Sequence, residues 1–597
     1  MLSRYDRHGG IMMTRFALIL TFGALLLSTS AFAQQACRTT FNVTKTTDTR
    51  DGNCSTSDCS LREAVIAANA CSGTNEIVLP AATLQLAITN SVGTSEDLSV
   101  RGDLDITGSV NIRGAGSNST YIDARSIDRI FHVRSGSVSI SMLTLRNGQS
   151  IGAGGGVAVE AGATLNLRHV RIRDSDATGI AGCGGAVSNR GTLGLYNVIL
   201  ASNTGGTGGA LCNQGSGSMV LSQVTAYSNS ATSGGVMSNS ASTTVTMSDS
   251  KFHSNSAQNG AAIINSGNLS INGSEIYNNT ASALGGGLLN NSGSNGALRT
   301  TIRTSWFHDN FVTDGKGGAV HAIGSGRLAI YQTLFERNSA LQTTPDTSGG
   351  GAVSTFSATE FYDCTFRDNV SHGGGGAISS SSNVIVHRNS FYGNSALTGG
   401  AIKTHGQLVV YNSTFDSNSS TNEGKAISVE VNQAEIKNIT IVDGGTAGLN
   451  TVYVSPFGSL SVAHSILAGS CQIYGALNSY GYNLDSGETC QLKNATDRSN
   501  IGPGLGAMVD VGGLKAGIPS AAVANLHRIP TIISAASNKG STVANSVDHV
   551  SVAGCLKTDA RGRVRPTDGR CEIGAVESVL LERDPGTAAP PAYEVGS

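Results

Sequence analysis

Along most of this chain apolar and polar residues alternate in short runs, and glycine, asparagine and serine separate the runs. Residues 383–391 read N-V-I-V-H-R-N-S-F, and Ala401-Ile402-Lys403 follows the next pair of glycines. Alternation at period two predicts half-buried strands, and runs this short leave no room for helices.

The runs repeat. A Phe, two residues and an Asn, followed after a variable stretch by Gly-Gly-Ala, recur at Phe252/Asn255, Phe307/Asn310, Phe335/Asn338, Phe366/Asn369, Phe391/Asn394 and Phe415/Asn418. Leu200/Asn203, Ala226/Asn229 and Ile276/Asn279 are weaker copies. Successive asparagines are 26, 26, 24, 31, 28, 31, 25 and 24 residues apart. The glycine pairs keep pace, at 184–185, 208–209, 234–235, 286–287, 317–318, 350–351, 375–376 and 399–400. A unit of this size with strands and tight corners cannot bury its inner face alone and must stack. The pattern therefore predicts an all-β chain, a right-handed parallel β-helix, with Phe as an interior ladder. Asn is expected at left-handed corners, bonding to its copy one coil on. Glycine supplies positive φ and close approach. At ~4.8 Å per coil, about thirteen coils make a rod of roughly 60 Å. The long steps mark insertions at 313–316, 341–348 and 291–295, which are expected to project and to border any functional face.

Composition sharpens this picture. Glycine is 77 of 597 residues, nearly twice the usual ~7%, and charged residues are 13%, about half the usual ~25%. With 39 basic and 41 acidic side chains and no basic stripe, nucleic acid is not an expected partner. Residues 12–33 have a short basic start, an apolar stretch over 16–27 and Ala31-Phe32-Ala33, the pattern of a signal peptide cleaved before Gln34. No second apolar stretch is long enough to span a membrane. The expected organisation is a signal segment 1–33, a cap 34–97, coils over 98–470, a small C-terminal module 471–578 and a tail 579–597.

An open solenoid end needs a cap. Ser60-Leu61-Arg62-Glu63 reads as a capping box opening a short helix, with Leu61, Val65 and Ala68 on the face that covers the first coil. The run from Asp51 through Cys59-Ser60-Leu61-Arg62-Glu63-Ala64 resembles the CSLREA domain that begins many exported bacterial β-helix proteins. Residues 101–131, with Gly114-Ala115-Gly116 and Ile122-Asp123, are similar to early coils of pectin-lyase-like β-helices. The Phe-x-x-Asn/Gly-Gly-Ala copies resemble the repeat of chlamydial polymorphic outer-membrane proteins. Gly481-Tyr482-Asn483-Leu484, Gly512-Gly513-Leu514, residues 558–566 and Cys571-Glu572-Ile573-Gly574 resemble a choice-of-anchor Q module. These resemblances imply an extracellular or cell-surface location, with periplasmic residence as an alternative.

Export permits disulfides. Cys54–Cys59 and Cys555–Cys571 are the expected pairs among 11 cysteines, followed by Cys471–Cys490, with Cys37–Cys71 as a further candidate. Cys183 and Cys212 differ by five residues in coil position, ~16 Å of extended chain, and are out of reach unless the corner folds back. Cys364 is expected unpaired in the core. No Cys/His spacing suggests a metal, and no cofactor is expected.

The charged candidates are Asp309, Asp314, Lys316 and His321; Asp363, Asp368, His372, His387 and His405; and Asp559, Arg561, Arg563, Arg565 and Glu577. The first two groups read as rim residues that need not converge, the third as a structural ion-pair network. Arg101-Gly102-Asp103 lies in a strand-like stretch and reads as a coincidence rather than an adhesion signal. No catalytic residue is assignable. The expected function is a binding, adhesion or scaffold role toward a polysaccharide or surface protein. The alternative is a polysaccharide lyase or glycoside hydrolase.

Overall fold

The computed structural model describes residues 37–52, 54–90, 98–179, 182–293, 297–341, 349–443, 449–502, 504–510, 526–530, 558–561 and 575. Most of them form a parallel β-helix, while Leu505–Asp510 and Leu526–Pro530 pair antiparallel as a separate two-stranded sheet. One coil illustrates the rest: Val187–Asn189, Thr192–Tyr196, Ile199–Ala201 and Thr204–Thr207 are four short strands separated by corners. Each pairs in parallel with its copy one coil on, at Leu211–Asn213, Ser218–Ser222, Thr225–Tyr227 and Ser230–Ser233. The strands that follow the glycines make a fifteen-stranded sheet, those that follow the asparagines a ten-stranded sheet, and the two series ending in the Phe strand share a thirty-one-stranded sheet.

The stacking starts before residue 98 and runs past 470. Thr40–Asn42 pairs with Thr74–Val78, which pairs with Ser109–Arg113. Cys471–Ile473 pairs with Val452–Val454, and Leu484 pairs with Ile466.

The repeated residues serve as the stacking requires. Phe307, Phe335, Phe366, Phe391 and Phe415 have no exposed surface, and successive rings lie 5.4, 5.0, 4.9 and 4.6 Å apart. The nine asparagines from Asn203 to Asn418 form one buried amide ladder. The Nδ2 of each of the first eight donates to the Oδ1 one coil on at 2.9–3.0 Å. Each Nδ2 also bonds a backbone carbonyl, as Asn369 does to Phe335 at 2.9 Å. Buried amides must be paired, and here the pairing is complete along the row.

The left-handed corner is not at these asparagines. It falls on the residue before each, Ser202, Ser228, Ser254, Asn278, Asp309, Arg337, Asp368, Gly393 and Ser417, with φ between 49° and 65°. The asparagine itself turns inward because only a buried amide can reach both its copy and the carbonyl beneath. A second ladder, Asn189, Asn213, Asn239, Asn265 and Asn290, runs up the corner after the glycine-following strand at 2.7–3.1 Å.

The glycine pairs divide their work. The first has positive φ (Gly184 72°, Gly375 67°, Gly399 63°). The second has no room for a side chain: a Cβ on Gly318, Gly351 or Gly376 would lie 2.1 Å from the carbonyl oxygen one coil on. In one coil the pair sits at Gly285 and Gly286, one residue earlier than the sequence spacing suggests; Gly285 carries the positive φ.

At the N-terminal end, helix Leu61–Asn69 closes the first coil. Ser60 and Glu63 form the reciprocal capping box, and Leu61, Val65 and Ala68 are buried. Arg62, also fully buried, binds Asp48 at 2.7 and 3.0 Å and donates to the carbonyls of Ser99, Gly102 and Asp103. Asp48 in turn accepts from the amides of Ala87 and Ile88. This clasp ties the helix to the first coils.

Disulfides join Cys37–Cys71, Cys54–Cys59, Cys471–Cys490 and Cys183–Cys212. The last corrects the extended-chain estimate. The corner at Gly208-Gly209 folds the chain back, which leaves the two Cα atoms 5.6 Å apart. Cys364 is free and buried, its thiol between the carbonyls of Ile330 and Tyr362. Cys555 and Cys571 lie outside the described residues. Among the described residues no helix is long and apolar enough to cross a membrane.

Candidate functional site

The glycine-following sheet is the face most altered by its surroundings. In each three-residue strand the outer residues face the core and the middle one faces away. Along the C-terminal half this outward row reads His321, Ser354, Ser379, Lys403, Ser428, Tyr453 and Gln472. Yet His321 is 2%, Lys403 3% and Tyr453 8% exposed. Side chains of that size are covered when neighbouring side chains stand against them, as Phe356 does beside His321 and Glu430 beside Lys403; this sheet face with its flanking residues is referred to below as the groove. The described ends of the insertions lie next to this strand in the chain. Residues 313–316 follow strand Phe311–Val312 and precede Val320–Ala322; residue 341 follows Ser339–Ala340; residue 291 follows Leu288–Asn290.

At the last coils the groove gathers charge and rings. Lys403 Nζ lies 3.4 Å from Glu430, which also accepts from Ser428 at 3.0 Å. Glu423 bonds Tyr453 across the neighbouring coil. Burial, with the nearby Glu430 charge, pushes the Glu423 carboxyl above the ordinary carboxylate range, against the Tyr453 bond and Lys403. Burial and the same carboxylates push the Tyr453 hydroxyl up. Tyr474 meets Tyr453 edge-on at 6.2 Å and is bonded by Gln472, whose amide oxygen accepts from Asn450 at 2.5 Å. Tyr474 and Phe457 stay 61% and 82% exposed at the rim. Aromatic faces beside fixed carboxylates, an amide and an ammonium can hold a ligand that offers both C–H faces and hydroxyl groups.

The earlier candidates divide among several places. Lys316 and His321 converge on Phe356 on the groove wall, at 5.5 and 5.9 Å. Burial first, then Lys316, lowers His321 to about 4. Asp309 is on another face, held by Arg337 at 2.8 and 2.9 Å and by His308 at 2.6 Å. Asp314 is exposed on its corner. Asp363 pairs with Arg388 at 2.6 Å, His387 is buried between Tyr362 and Tyr411, Asp368 and His372 occupy separate corners, and His405 follows the Lys403 strand. These five do not form one site. Asp559 pairs with Arg561 at 2.5 Å; Arg563, Arg565 and Glu577 lie outside the described residues. Arg101-Gly102-Asp103 is in a bend rather than a strand. Only Arg101 is exposed, while Asp103 is buried against Arg129 at 3.0 Å.

Among the described residues two groups bring metal-type donors together, Asp103/Asp105/His132 and Asp51/Asp58/Glu63. Arg129 pairs with Asp103 in the first, and Lys45 with Asp51 and Asp58 in the second. Glu63 is further committed to the capping box.

Sequence reasoning missed Glu423, Glu430, Tyr453 and Tyr474. The readable signal was the middle position of the glycine-following strand, where Ser gives way to Lys403 and then Tyr453.

Residues 363–381 match the model of the Chlamydia polymorphic membrane protein repeat. No curated protein matches the chain significantly. Among solved structures, the A-module of a mannuronan C-5 epimerase from Azotobacter vinelandii is similar, at 12% identity over 74% of this chain and 92% of that one, with a TM-score of 0.24. A likeness at that score supports no conclusion about chemistry.

Proposed function

We propose that this protein is an exported surface β-helix that holds a polysaccharide chain along the groove over its glycine-following sheet. The observation that carries the reading is the outward row itself, polar and covered, with Lys403 and Tyr453 in it, Glu423 and Glu430 beside it, and Tyr474 and Phe457 exposed nearby. Supporting the location are the signal-like start, the polymorphic membrane protein repeat and the four disulfides, which suit an oxidising compartment. The CSLREA-like cap and choice-of-anchor-like tail belong to the same proposal.

A second reading rests on one observation. Glu423 and Glu430 share the groove, and Glu423 is held toward its protonated form. Glycoside hydrolysis uses two carboxyl groups, one of which must carry a proton to act as the acid. The test is electrophoresis of the protein through gels containing acidic or neutral polysaccharides, with new reducing ends followed in parallel. Retardation without product, lost in Tyr453→Ala, supports binding. Heat-sensitive product lost in Glu423→Gln supports the hydrolase. Retardation by no polymer refutes both.

A further inference from the structure

Outside the groove, on the Phe-strand side, four rings stack along the rod: Tyr227, His253, Tyr277 and His308, at 5.4, 4.8 and 4.8 Å. The row continues toward the N-terminus with Ala201 and then Arg173, in register. The small side chain of Ala201 ends the stack and leaves one face of Tyr227 open to a cavity. Arg171, Arg173, Ile199, Thr144 and Tyr121 line the rest of it. Two coil spacings, about 9.6 Å, separate the Tyr227 and Arg173 rows. Contacts of ~4 Å on both sides leave a little under 2 Å for the occupant's own thickness. That suits a puckered six-membered ring better than a flat one.

The charge is equally selective. Arg173 already pairs with Asp174 at 2.5 Å. Arg171, half-buried in the same cavity, has no ion pair among the described residues. A half-buried guanidinium beside an open aromatic face matches a ring that carries its own carboxylate.

We propose that this cavity is a binding site for a hexuronate ring, which stacks on Tyr227 in the place of a fifth ring and presents its carboxylate to Arg171. The site is on a different face from the groove and does not depend on it.

The test is calorimetric titration of the full chain carrying Tyr453→Ala, so that groove binding does not contribute. The ligands are an oligogalacturonate, a neutral glucose oligomer of equal length, and benzoate. The uronate oligomer is expected to bind at least tenfold tighter than either of the others. Ala201→Tyr, which fills the slot, and Arg171→Gln, which removes the charge but keeps a polar side chain of similar shape, should each weaken it at least tenfold without lowering Tm. Uronate binding indifferent to both variants overturns the proposal. So does absence of uronate binding, or preference for benzoate, which would mark a flat-ring site. Groove variants answer the earlier proposal separately.

Discussion

Replacing Asn369 by alanine removes four hydrogen bonds from the centre of the buried amide ladder. Its Nδ2 donates to Asn394 Oδ1 and to the Phe335 carbonyl, both at 2.9 Å. Its Oδ1 accepts from the Asn338 backbone and side-chain amides, both at 3.0 Å. The Asn338 side chain keeps a second acceptor, the Phe307 carbonyl, but its backbone N–H loses the only acceptor assigned to it and remains buried. An orphaned buried donor costs about 1–3 kcal/mol and each of the three further lost bonds about 1 kcal/mol, so the expected loss is about 4–6 kcal/mol. Because each coil touches only its neighbours, the loss should be local. Native-state hydrogen exchange is the assay. Amides of residues 334–396 should open more easily by that amount, while those of the cap near residues 61–78 should not change. A loss under about 1 kcal/mol, or one spread evenly along the chain, would refute the ladder as a structural element.

Other outcomes follow from the same geometry. Phe366→Ala deletes a ring with no exposed surface, stacked on both sides, and should cost about 3–5 kcal/mol in urea unfolding. Gly376→Ala places a Cβ 2.1 Å from the Gly400 oxygen; separation of the coils there should appear as loss of exchange protection at residues 376–402, whereas Gly162→Ala, with an open site but φ of 84°, should show only a small loss from backbone strain. Glu275, held down to about 2 by the His308 hydrogen bond and by Lys251, is depressed below its unfolded value. Its stabilisation is therefore present above about pH 4.5 and lost as pH falls toward 2, a loss that Glu275→Gln should abolish in acid titration of stability. Buried His321, at about 4, is likewise depressed; its contribution should be complete above pH 6.5 and fade between 6.5 and 4, and His321→Phe should flatten that limb.

The solenoid was legible because stacking imposes the same demand on every coil. Phe366, Asn369 and Gly376 recur at fixed spacing because each must match a copy about 4.8 Å away. The capping helix was legible because Ser60 and Glu63 satisfy local backbone amides, an interaction written within four residues. What escaped depended on three-dimensional return of the chain. Cys183 and Cys212 meet because a corner folds back, which linear spacing does not encode. The Asn corner was misplaced by one residue because asparagine suits both a left-handed corner and a buried ladder, and burial decided for the ladder. The groove was hidden for a similar reason. Glu423, Glu430 and Tyr453 occupy three different positions in their coils, and only the stacking of the coils brings them together.

The most direct test of the groove is oxidative footprinting of the full chain with and without the polysaccharide that retards it most. Tyr474 and Phe457, exposed at the rim, should lose most of their reactivity when the polymer is bound, while exposed Ile151, far along the chain from the groove residues, should react unchanged. Unaltered reactivity of Tyr474 and Phe457 at saturating polymer would contradict binding in this groove.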